Sequence, residues 1–112
     1  MIPLKILKVI DFYVVPQLLV AVDKIDSKYL CLIDGEDDDS GCYYVAVMIS
    51  DERLNDYYQR RVDLRTIFEH PEFPEHCYEV VMKDDVLNAH FISEIPSSSL
   101  PDEGEYYEED LI

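Results

Sequence analysis

The sequence predicts an α+β fold: an antiparallel sheet of about five strands, with two short helices inserted between strands 3 and 4. Three observations lead there. Apolar, β-branched runs recur at residues 17–24, 28–34, 41–50, 76–83 and 86–95. Two helix-start signals, at Ser50 and Asp63, fall together between the third and fourth of these runs. The hairpin intervals, GEDDDSG and Asp84-Asp85, carry turn chemistry.

The N-terminal segment is ambiguous. In MIPLKILKVIDFYVV, Lys5 and Lys8 alternate poorly with the apolar residues, although Ile and Val favour β from Val9 onward until Pro16 interrupts. QLLVAVDK reads as the first clear strand, KYLCLID as the second and GCYYVAVMIS as the third. Between the last two, GEDDDSG has the composition of a hairpin loop. The flanking strands are apolar on both faces: Leu30 and Leu32 on one, Tyr29, Cys31 and Ile33 on the other. Such a hairpin is covered on both sides, or one face is closed by a partner.

Ser50 is a good N-cap, and Asp51 and Glu52 suit the helix N-terminus that follows. Leu54, Tyr57 and Tyr58 form one face, and Arg60 and Arg61 are expected in the last turn. Asp63 opens the second helix, with Leu64, Ile67 and Phe68 at helical spacing and Pro71 as its stop. HCYEVVMK and VLNAHFISEI then make a hairpin around Asp84 and Asp85. From Pro96 the composition shifts to serine, proline and acids. Residues 1–95 are therefore expected to form one domain and 96–112 a flexible acidic tail.

YLCLID, YYVAVMISDERLNDY, VDLRTIFEHPE and YEVV resemble a family of small bacterial proteins catalogued only as a domain of unknown function. The likeness spans about residues 17 to 83. It implies a bacterial or phage-related cytoplasmic setting and carries over no functional residue.

Candidate chemistry is thin. An EF-hand loop needs Gly at its sixth position and Glu at its twelfth. Counted from Asp34 these are Asp39 and Val45; counted from Glu36 they are Gly41 and Val47. Neither register works, so a solvated loop is expected. His70, His76 and Cys77 make an incomplete zinc set, because adjacent strand residues point to opposite faces. The same alternation separates Cys77 from His76 as a nucleophile–base pair, and His90 reads as a core or rim residue. Three glycines in the whole chain leave no phosphate-cradling loop. No metal, no cofactor and no enzyme activity are expected.

Charge is the remaining lead. Twenty-five acids face nine Lys and Arg, a formal charge of −16. Such a surface repels nucleic-acid backbones and anionic membranes and attracts basic proteins. Cys31, Cys42 and Cys77 contain no CxxC and suggest reduced, buried thiols. Asp11 and Pro16 interrupt the N-terminal apolar run, so neither a signal peptide nor a membrane span is read and a cytoplasmic location is expected.

The leading expectation is a non-catalytic module binding a basic, nucleic-acid-binding protein, as an immunity-type, antitoxin-type or DNA-mimic inhibitor or defence component. The contacts expected are Asp34, Glu36, Asp37, Asp38 and Asp39 in the loop and Tyr57 and Tyr58 on the first helix. In the tail they are Glu105, Tyr106, Tyr107, Glu108, Glu109 and Asp110. The alternative is a structural subunit forming a homodimer or larger assembly through its apolar hairpin.

Overall fold

The computed structural model describes residues 1–37 and 41–107. Asp38, Asp39, Glu108, Glu109 and Asp110 lie outside the described residues. Six strands form the fold: β1 (Ile2–Tyr13), β2 (Val15–Val22), β3 (Lys28–Asp37), β4 (Gly41–Ile49), β5 (Cys77–Lys83) and β6 (Val86–Ile92). They close into an antiparallel barrel in chain order. Helices α1 (Asp51–Tyr58) and α2 (Leu64–Glu69) follow β4.

This overturns the expected α+β fold with about five strands. The segment 2–13 is a strand throughout. It pairs with β2 from Lys5 onward, and through Ile2, Pro3 and Leu4 it meets Ala89, Asn88 and Leu87 of β6. That short ladder closes the sheet, and it makes the strand before the helices the fourth. The reason period-2 alternation fails in β1 is also visible. Its register with β2 shifts between Ile6 and Lys8 and again between Val9 and Asp11, and each bulge moves the side chains out of strict alternation.

Two cores result. One draws Leu4, Leu19, Ala21, Tyr29, Cys31, Tyr44, Ala46, Tyr78, Val80, Leu87 and Ala89 from all six strands and fills the barrel. Small residues face large ones across the ladders, Ala21 opposite Tyr29 and Ala46 opposite Tyr78, which is how a narrow barrel accommodates tyrosine. The second core lies on the outer face. There Leu18, Val20, Leu30, Leu32, Val45 and Val47 meet Leu54 and Tyr57 of α1 and Leu64, Ile67 and Phe68 of α2. Both faces of the β3–β4 hairpin are thus covered within one chain. Its two-sided apolarity is accounted for by these two cores.

The buried tyrosines keep their hydroxyls satisfied, as buried polar atoms must. Tyr44 Oη donates to the Pro16 carbonyl at 2.7 Å, and Tyr29 Oη donates to Asp23 Oδ2 at 2.8 Å. Tyr78 Oη pairs with His76 Nδ1 at 3.0 Å. Asp23 also accepts the backbone N–H groups of Ile25 and Ser27, both at 3.0 Å, and so holds the β2–β3 turn. Partial desolvation pushes the Asp23 carboxyl up, but hydrogen bonds from Tyr29, Ser27 and Ile25 outweigh it and hold it below the ordinary value of 3.8. A depressed folded-state pKa stabilises the protein above the unfolded value, and this stabilisation is lost as pH falls through the folded one. Thermal unfolding followed from pH 6 to pH 2 should therefore show a component below pH 4 that Asp23→Asn removes.

Ser50 caps α1 by accepting the Arg53 N–H at 3.1 Å, and Asp63 caps α2 by accepting that of Thr66 at 2.8 Å. The end of α1 departs from expectation. Arg60 takes φ +59°, and the Arg61 N–H reaches back to the Asp56 carbonyl at 2.8 Å. This left-handed cap stops the helix at Tyr58, so Arg60 and Arg61 lie beyond its last turn. No described helix is long and apolar enough to cross a membrane.

Candidate interaction face

The tyrosines expected to meet a partner gather on α1, but they play different parts. Tyr57 is only 2% exposed and belongs to the outer core. Burial pushes its phenol up to about 12. Its hydroxyl accepts the Tyr107 N–H at 2.7 Å and donates to the Tyr107 carbonyl at 3.1 Å. Tyr57 is therefore an internal anchor and presents no surface. Tyr58, the next residue, is 38% exposed, with Lys8 Nζ 5.1 Å from its ring centroid.

The described part of the tail lies along the two helices. After a 3-10 turn at Ser97–Ser99, the Pro101 carbonyl accepts from Arg65 Nη1 at 3.2 Å, and the Gly104 N–H donates to Asp63 Oδ2 at 2.8 Å. Tyr106 stacks on Tyr57 with centroids 5.5 Å apart, donates its hydroxyl to the Arg60 carbonyl at 3.3 Å, and carries the Arg60 guanidinium 5.0 Å from its ring centroid. Tyr106 and Tyr107 are half-buried against the outer core. Glu105 is half-buried as well. The tyrosines within the acidic tail thus act first as intramolecular anchors, and they hold the chain down as far as residue 107.

Asp63 serves two segments with one carboxylate: Oδ1 caps α2 and Oδ2 holds the tail. Hydrogen bonding to Thr66 and then to Gly104 keeps its carboxyl below the ordinary value. The N-cap role is legible in the sequence; the second role is not, because nothing local marks a contact with a residue so far along the chain. Lys8 and Arg60, the cations over Tyr58 and Tyr106, were likewise missed.

The described part of the acidic loop belongs to β3. Asp34, Glu36 and Asp37 are exposed residues of β3 itself, whose ladder with β4 runs on to Asp37 opposite Gly41. They lie at the start of β4, while α1 follows its end. The tail returns toward this end of β3: Asp11, which acts on the Tyr107 phenol, lies opposite Leu18, and Leu18 opposite Leu32, two residues before Asp34.

The candidate chemical groups do not converge. Cys77 packs in the outer core and its thiol is pushed up by burial, whereas His76 pairs with Tyr78. Cys31, wholly enclosed in the barrel, is pushed up to about 12. All three cysteines are free thiols. His90 is exposed, not a core residue. Among the described residues no group of three or more His, Cys, Asp or Glu side chains could hold a metal ion.

The basic residues are largely committed within the fold. Lys28 pairs with Asp51, Arg61 with Asp56 at 2.9 Å and Arg65 with Glu69 at 3.3 Å. Arg53 Nη2 donates to the His70 carbonyl at 2.8 Å, tying α1 to the end of α2. None of the described charged side chains is fully buried, so the acidic surplus faces solvent.

Over residues 2–112 the chain matches the model of a family described as a family of unknown function (DUF6575), and it belongs to that family. No curated protein and no solved structure matches it.

Proposed function

We propose that this DUF6575 member is a non-catalytic acidic module that binds a basic protein surface, in the manner of an immunity-type, antitoxin-type or DNA-mimic inhibitor. The observation that carries the reading is charge left over after internal pairing. Twenty-five carboxylates cannot be balanced by nine bases, and Lys28, Arg61 and Arg65 are already engaged. Surface acids without counterions raise association rates with cationic partners and discourage anionic ones.

Tyr58 and Tyr106 supply amphipathic rings beside Glu105, a combination suited to anchoring a basic segment. Asp34, Glu36 and Asp37 form a second contact at the hairpin tip. Tyr57 drops out of the contact set and becomes the support on which Tyr106 and Tyr107 rest. Three free thiols fit a reducing, cytoplasmic compartment.

The test is affinity capture with the full chain and with a variant carrying Asp34→Asn, Glu36→Gln, Asp37→Asn and Glu105→Gln. The native chain should retain a basic protein at about 0.05 M salt and release it at about 0.5 M, where the Debye length falls to a few ångströms. The amide variant should retain at least about tenfold less. Capture that survives both high salt and amidation would remove the electrostatic reading.

A further inference from the structure

We infer that the groove between the end of α2 and the segment after β6 is a pocket for an arginine side chain of the basic partner. The inference rests on the proposed binding of a basic surface and adds a site that uses none of the residues assigned to it above.

Two chain reversals build the groove. Helix α2 ends at Glu69, two residues before Pro71, and the chain turns back into β5 with the His76 N–H donating to the Phe73 carbonyl at 2.8 Å. On the other side β6 ends at Ile92, and residues 93–96 lead into the 3-10 turn at Ser97–Ser99. Arg65 ties this second wall to α2 through the Pro101 carbonyl at 3.2 Å. The groove holds about 400 Å³, within the range of roughly 300–1,000 Å³ usual for ligand pockets.

Much of its lining is apolar. Phe68 and Cys77, each 2% exposed, belong to the outer core, and Ile95 and Leu100 are partly buried against the same core. The charged residues that line it are both acids, Glu69 and Glu94. Glu69 is already engaged: one carboxylate oxygen lies 3.3 Å from Arg65 Nε and the other 3.4 Å from His70 Nε2. Glu94 is exposed and has no ion-pair partner among the described residues.

An apolar trough beside an unpaired carboxylate is complementary to a side chain with an apolar stem and a cationic head. Arginine meets this better than lysine. Its guanidinium is the more weakly hydrated head and enters a half-enclosed site more readily. It can give a carboxylate two parallel hydrogen bonds and still donate to hydroxyl oxygens, which Ser93 and Ser97 supply at the groove. The groove of similar size between β1 and α1 carries Lys8 and Lys28 against one carboxylate, Asp51, and so does not favour a cation. Surplus charge draws in a basic surface without orienting it; one seated arginine fixes its register.

The experiment is an NMR titration of the isotope-labelled full chain with the blocked tripeptide leucyl-arginyl-leucine at about 0.1 M salt. The same peptide with citrulline, similar in shape but uncharged, is the control. The arginine peptide should give saturable amide shifts at Cys77, Ser93 and Ile95. The citrulline peptide, and the arginine peptide on Glu94→Gln, should each bind at least about fivefold more weakly. Ser97→Phe fills the groove from an exposed position and should abolish binding while amide shifts in the barrel strands stay native. The variant with Asp34→Asn, Glu36→Gln, Asp37→Asn and Glu105→Gln should bind the peptide like the native chain, because none of those carboxylates lines the groove. A chain that captures no basic protein but binds the peptide would remove the proposed function and leave the arginine site standing. No saturable shift at these amides overturns the inference, whatever the capture experiment gives. So does equal affinity for the citrulline peptide, or an affinity that Glu94→Gln and Ser97→Phe both leave unchanged.

Discussion

Gly41→Ala should lower the melting temperature by about 10 °C or more, the equivalent of about 2–4 kcal/mol in a chain of this size. Gly41 opens β4 with φ +92°, a conformation that costs any residue bearing a Cβ. A methyl there would stand 2.1 Å from the Met82 carbonyl oxygen and 3.1 Å from its carbon. These are backbone atoms of β5, held by the next rung, Cys42 opposite Met82. Relief would require parting β4 from β5 where the barrel is sealed by their ladder. The control is Gly35→Ala in the same hairpin. No atom lies within 4 Å of its would-be Cβ, and its effect should stay within about 0.5 kcal/mol. Equal melting temperatures for the two variants would show that the β4–β5 contact at Gly41 is not as close as described.

Tyr57→Ala should cost about 3–5 kcal/mol, the loss typical of deleting a fully buried aromatic ring. It removes a ring packed among Leu54, Leu64 and Phe68, empties the stack beneath Tyr106, and leaves the Tyr107 backbone N–H and carbonyl without their partner. Tyr57→Phe separates the two contributions. It keeps the ring and loses only the hydrogen bonds, for about 1–2 kcal/mol, and should raise amide exchange at Tyr107 while leaving the barrel strands protected. Tyr58→Ala provides the contrast. That ring is part-exposed, its contact with Lys8 contributes on the order of 0.5–1 kcal/mol, and its removal should weaken partner binding more than stability. Chemical denaturation of the three variants checks the ordering; a Tyr57→Ala protein as stable as the native chain would mean that the tail is not held through this residue.

The contrast between neighbours explains what could and could not be seen in the sequence. Ser50 and Asp63 announce their helices because capping is local chemistry, complete within three residues. The spacing of Leu54, Tyr57 and Tyr58 announces an apolar helix face, but it does not say which ring ends inside. Tyr57 is enclosed because Tyr106 and Tyr107 return to it from 50 residues away. Barrel closure is hidden for a similar reason. It depends on Ile2 meeting Ala89, a pairing between the two ends of the domain that no periodicity encodes.

β1 was obscured by its own bulges. Lys5 and Lys8 break a strict alternation and argue against a strand only if the strand is regular. The alanines gave a subtler signal. Ala21 and Ala46 fall in otherwise bulky strands, and each is the small partner of a buried tyrosine across the ladder. Turn composition in GEDDDSG marks a hairpin but not where its strands stop, and β3 runs on to Asp37. Serine, proline and glutamate give residues 96–112 the composition of a linker and tail. The hydrogen bonds from Arg65 to the Pro101 carbonyl and from the Gly104 N–H to Asp63 involve backbone groups of that segment, which composition does not reveal.

The most direct measurement is a titration of the captured basic partner with the full chain at a series of salt concentrations between about 0.05 and 0.5 M. If the carboxylate surplus is what recognises that partner, log Kd rises steadily with log salt, and the slope flattens when Asp34, Glu36, Asp37 and Glu105 become amides. A Kd that stays level across the series, with the same value for the amide variant, would contradict it.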